Sequence, residues 1–261
     1  MARKEKIADT VGVTTLRVEH ITLADSNFIV LDFLGKDSVR YYNKLQVEPI
    51  IYTNIQEFIK DKNKGEDIFD LITSQDVNKY LQTFMKDLTA KVFRTFNASY
   101  LFQKEIQKIM KKYDTLESVD QSVLIDEYLK ANTSVAKKLN HQKNVGKSFK
   151  DVDEKFTEKI KKIKAQLRKA KKSSSKKGSN KDAKILRLND KLKKTKLKYD
   201  LKKEMKNISL GTSKENYIDP RITMVFIKKY GIPIEKVFSS ALIKKFVWAQ
   251  NYIEENPEFK F

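Results

Sequence analysis

The sequence predicts a mostly α chain with a small antiparallel β-sheet near its N-terminus, and three features of the text predict it. Residues that alternate or run apolar in the manner of strands are confined to the first fifth. Most of the remaining chain repeats its apolar residues every three or four positions, the period of a helix. Between Lys150 and Lys206 a proline-free, lysine-rich stretch with a single glycine carries a steady helical seam.

Taken in order, TLRVEHITL and NFIVLDFLG read as strands, and SVRYYNKLQV comes after Gly35-Lys36-Asp37, whose composition suits a hairpin turn. Helical spacing then begins near Ile55 to Lys62. It resumes after Ser74, a candidate cap, with Val77, Leu81, Phe84 and Leu88, and returns around 98–112 and 120–139. In the basic stretch Phe156, Ile160, Ile163, Leu167 and Ala170 step by fours and threes, as do Ile185, Leu188, Leu192, Thr195 and Tyr199. That is the seam of a coiled coil. KKSSSKKGSN between the two runs breaks helix, so a long antiparallel helical hairpin is expected. Beyond it Asp219 can cap and Pro220 can open a helix that Gly231 closes, and a second amphipathic helix is expected from Ser240 to Ile253. Three regions result: a partial core at 1–149, a linker at 150–206 and a helical domain at 207–261. The last is too short to bury a core of its own and must dock on the first.

Composition narrows the chemistry. The 261 residues include no cysteine and two histidines, which removes thiolate chemistry and histidine-rich metal sites. No apolar span is long enough for a membrane and the N-terminal text lacks a signal peptide's apolar segment, so a soluble, intracellular protein without a membrane partner is expected. The net charge is +20. Residues 150–206 hold 23 Lys or Arg against 8 Asp or Glu, a net +15 that leaves +5 for the remainder. Such a field suits a polyanion, and the hairpin is where it is concentrated. A solvated, partly disordered charged linker is the alternative there, above all at its tip.

No Gly-rich phosphate loop, nucleophile elbow or metalloprotease helix occurs. Tyrosine among basic residues remains. A phenol has a pKa of about 10 and attacks phosphorus at neutral pH only beside positive charge or a base. Arg, Lys and His would supply that charge and would also stabilise a five-coordinate phosphorus without a metal ion.

LGTSKENYIDPRIT, residues 210–223, resembles the active-site tyrosine motif of the eukaryotic-type (type IB) DNA topoisomerase I family. ADTVG with LRVEHI, DFLGKDSVRYYNK (32–44), LTAKVFRTFNAS (88–99) and LNHQK (139–143) are similar to segments of the same family in the same order, and the charged hairpin stands where that family has its coiled-coil linker. The resemblance implies the catalytic core shared by tyrosine recombinases and type IB topoisomerases. It implies relaxation of supercoiled duplex DNA, with little sequence specificity and with no ATP, obligatory metal or other cofactor. Tyr217 would attack a phosphodiester, forming a 3′-phosphotyrosyl bond and expelling a 5′-hydroxyl. Lys36 would be the general acid, and Arg94 and His141 would bind the non-bridging oxygens. Asn216 and Asp37 match positions lining the cleavage site. Lys214 and Arg221 would contact backbone phosphate or support the motif. His20 lies outside every catalytic match and is expected to be structural.

The family's remaining catalytic arginine falls on a helix upstream of ADTVG, and Arg3 echoes it only at the wrong spacing. The chain thus resembles the family's C-terminal portion, for which an upstream core or clamp polypeptide is an expected partner. By the same resemblance the location is the nucleus, or the site of genome replication if the protein is viral. Two alternatives stay open at this point: a tyrosine recombinase, and a folded but inactive DNA-binding fragment that needs the clamp in trans. For the catalytic reading, docking must bring Tyr217 beside Lys36, Arg94 and His141.

Overall fold

The structure, a computed structural model, describes residues 9–35, 38–114, 119–141, 148–172 and 179–261. The chain divides into two compact units between Arg94 and Thr95.

The first unit opens with the sheet. Strands β1 (Ile21–Ala24), β2 (Phe28–Leu34) and β3 (Arg40–Gln46) form one antiparallel sheet in that order. The register runs from Ile21 opposite Leu31 and from Leu34 opposite Arg40. β3 half-buries every second side chain, the period-2 pattern that its text predicts. Ile21 and Ile29 pack with Val11, Leu16, Ile55 and Ile68 in the core of this unit. Lys36 and Asp37 lie outside the described residues, as does Arg3.

TLRVEHITL is not one strand. Val13–Thr15 and Val18–His20 are 3-10 turns, Arg17 between them makes one isolated antiparallel bridge with Asp67, and the sheet begins only at Ile21. Local and distant partners take the backbone groups that a ladder would use: the Arg17 N–H donates to His20 Nδ1 at 3.0 Å, and the Leu16 carbonyl accepts from Ile68 N–H at 2.8 Å. His20 is therefore a buried turn former, as its place outside every catalytic match suggests.

Helix α1 (Pro49–Ile59) starts before its expected position, with Pro49 in the first turn. α2 (Ser74–Gln82) is capped by Thr73 rather than Ser74. The Thr73 hydroxyl accepts from Asp76 N–H at 3.3 Å and the Asp76 carboxylate accepts from Thr73 N–H at 3.0 Å, a complete capping box. α2 ends at Gln82, so Phe84 and Leu88 fall in the turns beyond it.

α3 (Ala90–Tyr113) begins in the first unit, and from Thr95 onward it supplies one wall of the second. α4 (Gln121–Lys138) supplies another. Their buried residues Phe102, Ile106, Leu124, Tyr128 and Val135 share one core with Ile218, Ile222, Phe226, Phe246 and Ile253. Tyr128 sits at its centre, edge-on to Phe102 at 5.4 Å and stacked on Phe226 at 5.8 Å, with its hydroxyl 3.0 Å from that of Thr223.

The hairpin forms as its spacing predicts. α5 (Ser148–Lys172) and α6 (Ser179–Glu204) pack along the expected seam, where Ile163, Leu167, Ala170 and Thr195 are buried and Phe156 stacks on Tyr199 at 5.5 Å. The Tyr199 hydroxyl donates to Asp153 at 2.5 Å. The tip, 173–178, lies outside the described residues. α6 is tied to α4 by Lys194 with Asp120 at 3.0 Å and by Lys137 with Glu204 at 3.3 Å.

Four short helices complete the unit: α7 (Leu210–Asn216), α8 (Pro220–Lys229), α9 (Ser240–Lys245) and α10 (Val247–Glu255). Asp219 caps α8 as expected, accepting from Arg221 N–H at 2.9 Å, and Gly231 ends it at a φ of 60°. The single helix expected over 240–253 is two. Phe246, at φ −107° and ψ 22°, breaks it while burying its ring beside Phe238. No described helix is long and apolar enough to cross a membrane.

Candidate active site

Two chain reversals inside the second unit bring His141 and Tyr217 together. α4 ends in a Schellman motif. Asn140 takes the left-handed conformation at φ 55°, its N–H donates to the Lys137 carbonyl at 3.1 Å, and His141 N–H donates back to Ala136 at 2.9 Å. Asparagine tolerates this geometry better than most residues, because its short polar side chain lowers the left-handed penalty. The reversal turns His141 inward, where it is 9% exposed. Its carbonyl then accepts from Ser209 N–H at 2.8 Å, which fixes the residue that precedes α7.

α7 puts Ser213 and Tyr217 one turn apart. The Ser213 hydroxyl, fully buried, lies 2.8 Å from His141 Nδ1. Tyr217 ends the helix at φ −133° and ψ −23°, with its N–H donating to the Ser213 carbonyl at 3.0 Å. Its half-buried ring lies 5.0 Å from the His141 ring, tilted by 38°. Nδ1 is thereby committed to Ser213, so any bond from this imidazole to a phosphate oxygen must come from Nε2.

The backbone around Tyr217 is held as firmly. Ser99 on α3 donates its hydroxyl to the Tyr217 carbonyl at 3.1 Å and accepts from Asp219 N–H at 3.0 Å. Asn132 on α4, fully buried, donates to the Leu210 carbonyl at 3.2 Å and so fixes the start of α7.

The other expected site residues divide. Lys214 is half-buried and donates to the Val237 carbonyl at 2.7 Å, and burial pushes its pKa below the ordinary lysine value. Arg221 grips Asp219 through Nε and Nη2, the latter at 2.7 Å, and lies 4.2 Å from the Phe259 ring and 4.8 Å from that of Tyr252. The Asp219 carboxylate raises the Arg221 pKa above the usual guanidinium value. Both side chains are engaged in holding the motif. Asn216 is exposed, its amide donating to Thr212 at 3.4 Å. Arg94 is exposed on α3, as the last residue of the first unit. Lys36 and Asp37 fall outside the described residues.

Sequence reasoning passed over Ser99, Ser213 and Asn132. Ser99 and Ser213 stand inside the quoted motif segments, and all three are small polar residues at helix positions whose neighbours point into the core. That pattern is the signal that could have found them. Among the described residues no cluster of three or more His, Asp or Glu could hold a metal ion.

The second unit is thus a helical unit that sets a half-buried tyrosine against a buried, serine-anchored histidine. Residues 1–174 match the family model for the eukaryotic DNA topoisomerase I catalytic core, and residues 189–261 match that for the C-terminal topoisomerase domain. The chain belongs to the eukaryotic DNA topoisomerase I family. It is 40% identical over 262 residues to DNA topoisomerase 1 of Drosophila melanogaster, covering 98% of this chain and 26% of that protein. Against the human DNA topoisomerase 1 it is 38% identical over 274 residues, covering 97% of this chain and 35% of the relative. The mitochondrial DNA topoisomerase I of Rattus norvegicus is 37% identical over 271 residues, covering 97% of this chain and 45% of its own length. The chain thus spans less than half the length of these relatives.

Proposed function

We propose that this chain carries the nucleophile and part of the phosphate-binding set of a type IB DNA topoisomerase. Tyr217 attacks a backbone phosphorus of duplex DNA, a P–O bond forms to the phenolic oxygen, and the bond to the 5′-oxygen breaks. The phenolic proton passes to solvent or a nearby base, and Lys36 protonates the departing 5′-oxygen. Arg94 and His141 Nε2 hold the non-bridging oxygens as charge builds on phosphorus. Asn216 and Asp37 line the cleavage site, while Lys214 and Arg221 keep the motif in shape. The energy of the broken bond stays in the phosphotyrosyl link, so the 5′-hydroxyl can attack back without ATP, and cationic side chains meet the charge demand that a metal would otherwise meet.

The lysine-rich hairpin would hold phosphates of the rotating duplex by salt-sensitive contacts that read no bases, so cleavage has little sequence preference. An upstream core or clamp polypeptide completes the site with its further arginine, and the working place is the nucleus. One observation carries this reading: the Tyr217 ring lies 5.0 Å from a histidine whose Nδ1 is already held by Ser213. The family assignment removes support from the recombinase alternative. The test is a nicked suicide duplex incubated with the protein and run on a denaturing gel, with and without the upstream portion of a relative. A covalent adduct lost in Tyr217→Phe is expected; an adduct that survives that change refutes Tyr217 as the nucleophile.

A further inference from the structure

We propose that Ser99 is a positioning residue for Tyr217, a role that deepens the reading above and rests on Tyr217 being the nucleophile. One hydroxyl serves both sides of the tyrosine. It donates to the Tyr217 carbonyl at 3.1 Å and accepts from Asp219 N–H at 3.0 Å, pinning three consecutive residues to α3. Between the two pinned groups, Ile218 inserts into the core at 5% exposure and donates its N–H to Ser213 at 2.9 Å.

The surroundings make this clamp hard to replace. Ser99 is fully buried, so water cannot take over either bond when the hydroxyl is removed. The segment it holds is the junction between α7 and α8, where backbone leaves one helix and Asp219 caps the next. Without the clamp Tyr217 would retain its helix-end bond to Ser213 but could swing about the Ile218 junction. In-line attack on phosphorus tolerates little such movement: a displacement of about 1 Å can cost about 100-fold in rate. Ser99 touches no reacting atom, and its effect would be entirely on geometry.

The test compares wild type, Ser99→Ala and Ser99→Cys, with Tyr128→Phe as a control that weakens the same core away from the clamp. Three quantities are read: single-turnover adduct formation, affinity for uncleaved duplex, and exchange of the Asp219 amide. Ser99→Ala is expected to slow adduct formation by about 10- to 100-fold, leave duplex affinity unchanged and speed Asp219 exchange, with Ile218 exchange preserved. Ser99→Cys keeps the volume but offers a weak donor, and should fall on the same side. Adduct formation that drops no more in the serine variants than in Tyr128→Phe overturns the inference. A wild type that forms no adduct defeats the reading of Tyr217 instead, and the exchange measurement still decides the clamp: an Asp219 amide as protected in Ser99→Ala as in wild type overturns it.

Discussion

The hydroxyl of Ser213 and Nδ1 of His141 lie 2.8 Å apart in the interior of the second unit, joining α7 to the end of α4. The pair occupies Nδ1, one of the two imidazole nitrogens. It also links the helix that carries the tyrosine to the turn that carries the histidine. Ser213→Ala removes this hydrogen bond from a buried imidazole, at roughly 1 to 2 kcal/mol of stability. Adduct formation should fall separately, by about tenfold, if the imidazole loses the contact that orients it. Rapid-quench cleavage assays beside thermal melts would check both numbers.

Tyr128 and Thr223 test the core that supports the site. Their hydroxyls lie 3.0 Å apart, both side chains are buried, and burial pushes the Tyr128 pKa above the ordinary phenol value. Tyr128→Phe strands the Thr223 hydroxyl and should cost about 1 to 2 kcal/mol in urea unfolding. Replacing both residues, as Tyr128→Phe with Thr223→Val, should recover part of that loss, because no polar group is then left alone in the core.

Acid should loosen α6 from α4. Lys194 and the Ser122 N–H hold the Asp120 pKa down to about 2, against an ordinary value of 3.8. A depressed carboxylate contributes stability that is present above the unfolded pKa and is lost as pH falls through the folded one. The window is therefore from near pH 4 down to pH 2. Asp120→Asn keeps a helix cap but not the charge. Its melting temperature should lie below that of wild type at pH 6 and converge on it by pH 2.

The hairpin makes a prediction in salt. Lys161, Lys164 and Arg168 lie together on α5, alongside Ile160 and Ala165. If they neutralise phosphates, changing all three to Gln lowers the slope of log affinity against log salt by up to roughly 0.9 for each, and does so equally on unrelated duplex sequences. Fluorescence anisotropy over a salt series measures it. An unchanged slope would remove this face of the hairpin from the DNA interface.

Much of the scaffold is legible in the sequence because it obeys one rule at a time. The seam from Phe156 to Ala170 can pack only as a helix, and Asp219-Pro220 can open only one kind of element. The failures are places where side chains or distant backbone take over. TLRVEHITL alternates like a strand, but His20 captures the Arg17 N–H and Ile68 captures the Leu16 carbonyl. The helix over 240–253 breaks at Phe246, whose backbone leaves helical geometry where its ring enters the core beside Phe238. At the site, motif resemblance points to Tyr217 and His141, which meet in the structure. Ser99 and Ser213 escape because nothing local shows that a serine on a helix face has a partner more than 70 residues away.

Mapping the covalent adduct tests Tyr217 as the nucleophile with the fewest intermediate assumptions. After cleavage of a suicide duplex, nuclease trimming and trypsin digestion, the peptide from Glu215 to Arg221 contains a single tyrosine. Its mass should rise by that of a 3′-phosphorylated nucleotide remnant, with fragmentation placing the addition on Tyr217. An adduct carried by any other peptide, or duplex that is bound but never cleaved even with the upstream polypeptide supplied, would contradict the assignment.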